Sequence, residues 1–352
     1  MCNISSRIAE YFNTKGGKVT LGIDGFVDEV WQVVNQPSMV AFSKSIYEGG
    51  GGGYTNEIVR KRRRYGGFTS NTGHAVGCLG FDLTMIGSFG KDNIDPVFKN
   101  FERDHKVISV SDPCICQIFE FEDGKLMLPS SEEANGITWD YLTNKLTHEI
   151  MQNAYGEADI VGLGYWFLMP HFNELLTKLC ENYLINGKCK RVFFDFADIR
   201  KRDKQELLNS LKVLEKLNPS MPMTLSLNEH EGGLLFSYMG KSLSLDDPDG
   251  AKRDIDAVRQ KMGINEFIIH TPYFAVGASA TEGSEIALQD YCKNPVITAG
   301  AGDNFNGGYL AASVRGELPL KARLMAGNAV TGFYIRNGYS PSKEELLKEG
   351  AF

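Results

Sequence analysis

Thr298-Ala299-Gly300-Ala301-Gly302-Asp303-Asn304-Phe305-Asn306-Gly307-Gly308 sets a run of small residues, Ala299 to Gly302, ahead of a stretch, 304–314, that can be helical. A glycine-rich turn feeding a helix N-terminus aims several backbone N–H groups at one point, and the positive end of the helix dipole adds to them. Such a turn is ready to hold an anion. A carboxylate at its mouth would be odd if holding phosphate were the only task. It suits a base that takes a proton from a hydroxyl attacking a phosphoryl group. Taken alone, the turn favours a plainer reading, in which Asp303 caps the helix while Gly307 and Gly308 permit close packing.

Upstream, short apolar runs at 19–23, 83–86, 160–163, 192–196, 224–227 and 266–269 read as strands. Between them 94–103, 171–185, 204–217 and 251–262 carry apolar residues at helical spacing. This alternation argues for an α/β fold with a mostly parallel central sheet and helices on both faces. Two segments break it. Residues 114–121 and 125–128 flank Asp123-Gly124, a hairpin turn, and the stretch from Asp28 through the glycines Gly49 to Gly53 has no helical period. Both are expected to form a small β-sheet, inserted near 28–60 and 112–135 into a single domain spanning 1–352. The glycine run reads as a mobile loop, and the cations Arg60 to Arg64 as a solvated face.

The anion turn is not isolated, and together with three other motifs it resembles the ribokinase-like (phosphofructokinase B-type) carbohydrate kinases. Gly300 to Asp303, Phe305, Gly307 and Gly308 match the C-terminal signature of that family; Gly66, Gly67, Asn71, Leu79 and Gly80 match its N-terminal one. Gly87, Gly90 and Asp92 continue in the family's spacing, and Asn228-Glu229-His230-Glu231 matches its Asn-x-x-Glu motif. The resemblance implies a ribokinase-like fold whose small sheet is a lid, and an ATP- and Mg²⁺-dependent phosphorylation of a hydroxyl on a sugar or polyol. It implies Asp303 as catalytic base and the amides of Gly300, Ala301 and Gly302 as the phosphoryl-oxygen site. Asn228 and Glu231 would face an Mg²⁺–water–phosphate cluster without ligating the metal directly; by local pattern alone they read as a capping box. Thr271 and Asn328 fall where the family meets its nucleotide. Gly66, Gly67 and Asn71 fall where it meets the sugar, with Asp28 the better match for a hydroxyl-binding carboxylate and Asp24 the alternative. Either aspartate, and Asn71, can equally cap a turn or helix. Ile297 stands where the family usually carries an Asp that organises a monovalent-cation site, Tyr273 where a glycine is common, and Asp95 likewise. The loop before Gly300 is then expected to be held by packing of Val296 and Ile297 into the core. A nucleoside kinase of the same fold, or a catalytically silent sugar-binding or regulatory relative, are the alternatives.

Composition excludes other classes. With 352 residues, 42% hydrophobic and 23% charged, the chain is neither disordered nor fibrous. Its 37 basic and 44 acidic residues give a net charge of -7, which offers no general attraction to nucleic acid or to an anionic membrane. No apolar run has membrane-spanning length and the N-terminus does not read as a signal peptide. Seven scattered cysteines fit free thiols in a reducing cytoplasm. The six histidines are dispersed and form no metal-ligand spacing. Oligomeric state stays open: the small sheet is a lid alone, or a lid that pairs with a second copy in a homodimer.

Overall fold

The computed structural model describes residues 4–14, 16–49 and 53–350, so the centre of the glycine run lies outside the described residues. In chain order the strands are β1 (Lys18–Ile23), β2 (Phe26–Val33), β3 (Ile58–Gly66), β4 (Asp82–Ser88), β5 (Lys106–Ser111), β6 (Cys114–Phe121) and β7 (Gly124–Ser130). They continue with β8 (Ile160–Gly164), β9 (Arg191–Asp195), β10 (Met223–Asn228), β11 (Glu266–His270), β12 (Phe274–Ser279) and β13 (Gly283–Leu288). Nine of them form one sheet in the order β13-β12-β11-β10-β9-β8-β1-β4-β5. From β11 to β5 every pairing is parallel, while β12 and β13 are added antiparallel at one edge. The parallel strands are continuous apolar runs because both faces are covered: β8 is buried at all five positions and β1 at all but its first. Two hydrophobic clusters result, one on each side of the sheet.

The second sheet has the order β3-β2-β6-β7, with β2 and β6 parallel and both outer pairings antiparallel. It leaves the main sheet through Asp24-Gly25 after β1 and returns through Gly66-Gly67 after β3. Asp24 clamps the two crossings together. Its carboxylate accepts from the backbone N–H groups of Phe68 and Thr69, both at 2.8 Å, and from the Thr69 hydroxyl, which caps the helix Phe68–Cys78. A Cβ on Gly67 would lie 2.4 Å from Asp24 Oδ2, and Gly67 has φ +86°, so only glycine fits this crossing.

Three expectations are corrected. The stretch after Asp28 contains a helix, Met39–Glu48. Its start is fixed from outside: Ser38 caps it, and Asp123 in the β6–β7 hairpin accepts from Ser38 Oγ and from Met39 N–H at 2.5 Å. None of its residues is fully buried, which is why no helical stripe marks it. Second, 94–103 is not one helix; Asp95 caps a 3₁₀ turn at Pro96–Phe98 that leads into the short helix Lys99–Asp104. Third, the loop before Gly300 is not held by core packing, because Val296 is 69% exposed and Ile297 half-buried. Backbone and side-chain bonds from the helix Leu320–Asn337 hold it instead: Val296 N–H to Ile335 O at 2.8 Å, Tyr334 OH to Ala299 O at 2.7 Å and Thr331 Oγ1 to Ala301 O at 2.8 Å.

The run Arg60 to Arg64 lies on β3, and its guanidiniums are paired rather than merely solvated. Arg60 lies 3.5 Å from Glu29, Arg62 2.5 Å from Glu120, Arg63 2.7 Å from Asp95 and Arg64 3.5 Å from Asp28. The six described cysteines are all free. Among the described residues no helix is long and apolar enough to cross a membrane.

Candidate active site

Ligands of open α/β sheets bind beyond the carboxyl ends of the strands. Here four neighbouring strands deliver one polar residue each to a single cleft of about 550 Å³: Tyr165 just past β8, Asp195 at the end of β9, Asn228 of β10 and His270 of β11. The wall opposite is the anion turn, Gly300 to Asp303.

Gly300 has φ +87°, the left-handed conformation that glycine adopts without penalty, and it turns the chain into the helix Ala301–Ser313. The Ala301 amide donates to Thr298 O at 3.1 Å, which corrects its assignment to the anion site. Among the described residues, no backbone carbonyl accepts from the Gly300, Gly302 or Asp303 amide. Asn304 steadies it from behind, donating through Nδ2 to Gly300 O at 2.9 Å while Ser340 donates to its Oδ1 at 2.8 Å.

Asp303 lies in the first turn of that helix and is 6% exposed. Its Oδ1 accepts from Tyr165 OH and its Oδ2 from Asn71 Nδ2, each at 3.0 Å. Burial, and then the neighbouring Asp195 carboxylate, hold its pKa well above the ordinary carboxylate value. Asp195 is pushed up to about 6 by burial; its oxygens accept from Ala197 N–H and from Asn306 Nδ2, both at 2.7 Å. Glu231, buried and beside Asp195, is pushed up to about 9. The capping box foreseen from the pattern is formed: Asn228 Oδ1 accepts from Glu231 N–H and Glu231 Oε2 from Asn228 N–H, both at 3.1 Å. Both residues line the cleft. Thr271 lines it too, but its hydroxyl is occupied within its own turn, bonding Phe274 O at 2.9 Å.

On the other side of Asn71 lies the group expected to meet the sugar. Asp28 is 8% exposed, pushed up to about 6 by burial, and faces Arg64. A Cβ on Gly66 would lie 2.4 Å from Asp28 Oδ1, so this glycine makes room for the carboxylate. Asp24 is corrected as an alternative: it has no exposure and both its oxygens are consumed by the helix start. Asn328 is not in the main cleft. It lines an adjoining cavity of about 360 Å³ that meets the cleft at Gln289, and its Nδ2 donates to Ala287 O at 2.9 Å.

Sequence reasoning missed Tyr165, Asp195 and His270, and dismissed all histidines. His270 lines the cleft alone, its ring 4.8 Å from that of Phe305, and burial lowers its pKa to about 4, so it is neutral. The available signal was positional: each is the polar residue that ends, or directly follows, an apolar strand.

The prokaryotic ketohexokinase family profile matches residues 5–349. A ketohexokinase from Haloferax volcanii is 26% identical over 347 residues, spanning 94% of this chain and 90% of that one. Solved structures with the same fold include a ribokinase from Thermotoga maritima, 18% identical with a TM-score of 0.67 over 94% of this chain and 98% of that one. A ribokinase from Arabidopsis thaliana, solved with ribose and ATP, is 16% identical with a TM-score of 0.67 over 96% and 100%. A phosphofructokinase-2 variant from Escherichia coli is 16% identical with a TM-score of 0.66 over 95% and 97%. Four motifs in family order, a sheet with the ribokinase topology and a profile match over nearly the whole chain agree: this protein belongs to the prokaryotic ketohexokinase family and is a ribokinase-like carbohydrate kinase, which transfers a phosphoryl group to a hydroxyl.

Proposed function

We propose that the protein phosphorylates a hydroxyl of a ketohexose with ATP, using Asp303 as general base. The observation that carries this reading is the placement of a buried, proton-avid carboxylate in the first turn of a helix whose Gly302 and Asp303 amides meet no backbone carbonyl among the described residues, at the mouth of the strand-end cleft. Asp303 takes the proton as the sugar oxygen bonds to the γ-phosphorus. The bond from that phosphorus to the bridging oxygen breaks, and ADP departs. The Gly300, Gly302 and Asp303 amides meet the equatorial oxygens of the group in flight, where charge must be stabilised. The nucleoside end of ATP extends past Gln289 toward the cavity beside Asn328.

The donor set on the opposite wall fits Mg²⁺. Glu231 and Asp195 offer hard oxygen ligands beside Asn228, and burial, joined at Glu231 by the Asp195 charge, holds both carboxyls protonated above their usual range, a strain that a cation relieves. They would hold a hydrated ion against the phosphates, and its chemistry is to screen their negative charge.

A free sugar is favoured over a sugar phosphate because the arginines nearest the acceptor side are already neutralised: Arg64 faces Asp28 and Arg63 is bidentate to Asp95, at 2.8 and 2.7 Å. A second phosphate would have to compete with a carboxylate for every arginine on β3. The small sheet is read as a lid over the sugar, entered through the Asp24 clamp. In the homodimeric alternative its outer strand β7, with Leu126, Met127 and Leu128 at 39, 47 and 49% exposure, is the surface a second copy would cover.

ADP release measured with ATP against D-fructose, other ketohexoses, ribose, nucleosides and fructose phosphates tests the reading. The expected outcome is turnover with a free ketohexose well above all others. Preference for a nucleoside or a sugar phosphate would overturn it.

A further inference from the structure

Asp303 is fully engaged before any substrate arrives, since Tyr165 OH holds Oδ1 and Asn71 Nδ2 holds Oδ2. A base with both oxygens hydrogen-bonded is less basic, and the donors also stand where an incoming hydroxyl must approach. The two donors are not equivalent.

Tyr165 follows β8 and is wedged among rings, with Phe68 at 6.2 Å and Phe167 at 6.3 Å between centroids. Burial and the surrounding carboxylates of Asp303, Asp195 and Asp24 keep its phenol protonated, so it donates at every working pH. Asn71 is half-buried in the first turn of the helix Phe68–Cys78, on the side of Gly66, Gly67 and Asp28. Among the described residues its side-chain amide makes one hydrogen bond, the one to Asp303. Neighbouring Thr72 bonds the Asp303 backbone carbonyl at 3.2 Å, so the helix stays docked even when the Asn71 amide lets go.

We infer that Tyr165 and Asn71 form a clamp on the Asp303 carboxylate with one fixed and one releasable jaw: a sugar hydroxyl displaces the Asn71 amide from Oδ2, while Tyr165 keeps Oδ1 and the orientation of the base. This rests on Asp303 being the base. In the absence of sugar the clamp shields Asp303 from water, which would otherwise attack the γ-phosphorus, deliver its proton to the carboxylate and release ADP and phosphate. Tyr165 is a positioning residue; Asn71 is the gate.

The test is hydrolysis of Mg-ATP by the full-length protein without sugar, read as phosphate release. Asn71→Ala should raise it at least about tenfold, the factor one hydrogen bond to a charged group is worth. Tyr165→Phe should give no comparable rise in sugar-free hydrolysis and should lower kcat for the sugar several-fold with KM for the sugar held within about twofold, since the orientation of the base is lost. Thermal melts confirm that each variant is folded. Unchanged or lower hydrolysis in Asn71→Ala would overturn the clamp, as would an equal rise in Tyr165→Phe. The double variant Asn71→Ala/Asp303→Asn separates the two claims. Loss of the extra hydrolysis there supports the base, whereas persistence at the Asn71→Ala rate removes Asp303 from the chemistry.

Discussion

Glu231 shows how a single side chain can be placed on a cleft at the expense of stability. It completes a capping box, yet burial and then Asp195 raise its pKa from 4.5 to about 9. Between those two values the folded protein holds a proton that the unfolded chain has already released. Folding stability therefore falls as pH rises through that window. A glutamine keeps the cap, because its carbonyl oxygen can still accept from Asn228 N–H, and it has no proton to hold. The ligand-free Glu231→Gln protein should melt above wild type at pH 8, with the gain shrinking toward pH 5, while turnover falls. A melting difference of opposite sign, or one independent of pH, would show that the Glu231 carboxyl is not strained as described.

At the scale of elements, the junction between the two sheets is held by one carboxylate and one glycine. Asp24 ties the start of the helix Phe68–Cys78 to the end of β1, and Gly67 turns at φ +86° against it. Gly67→Ala would force a Cβ to 2.4 Å from Asp24 Oδ2 in a backbone region alanine disfavours, with a cost of about 1–3 kcal/mol for the strain alone. Urea denaturation should show a lower midpoint, and an unchanged one would mean that the crossing relaxes freely. This junction also shows what is readable from sequence and what is not. The parallel strands announce themselves because burial on both faces demands uninterrupted apolar runs, and Asp123-Gly124 announces its hairpin by turn chemistry. Asn71 and Asp303 are legible through their spacing from glycines. The helix Met39–Glu48 is not, because its N-terminus is secured by Asp123, more than 80 residues away. Nor is the choice between Asp24 and Asp28, since only the return of the chain at Gly66-Gly67 decides which carboxylate is consumed. Tyr165, Asp195 and His270 converge only once four strands lie side by side.

Over the whole molecule, buried carboxyls are gathered where the proposed phosphate-bearing donor would bind. Asp195, Glu231 and Asp303 line one cleft of a protein with a net charge of -7, and each has its carboxyl pushed up by burial and by its neighbours. That crowding makes a poor place for ATP alone and a good one for ATP accompanied by a divalent cation. It also keeps the Asp303 carboxyl avid for a proton, as the proposed base must be near neutral pH. Nine strands, the anion turn and the bonds from Tyr334, Thr331 and Asn304 hold that one carboxylate in place. The most direct measurement is the rate of ADP release by Asp303→Asn at saturating Mg-ATP and ketohexose. The account predicts a fall in kcat of roughly 10²–10⁴-fold with sugar binding retained. Turnover within a few-fold of wild type would contradict it.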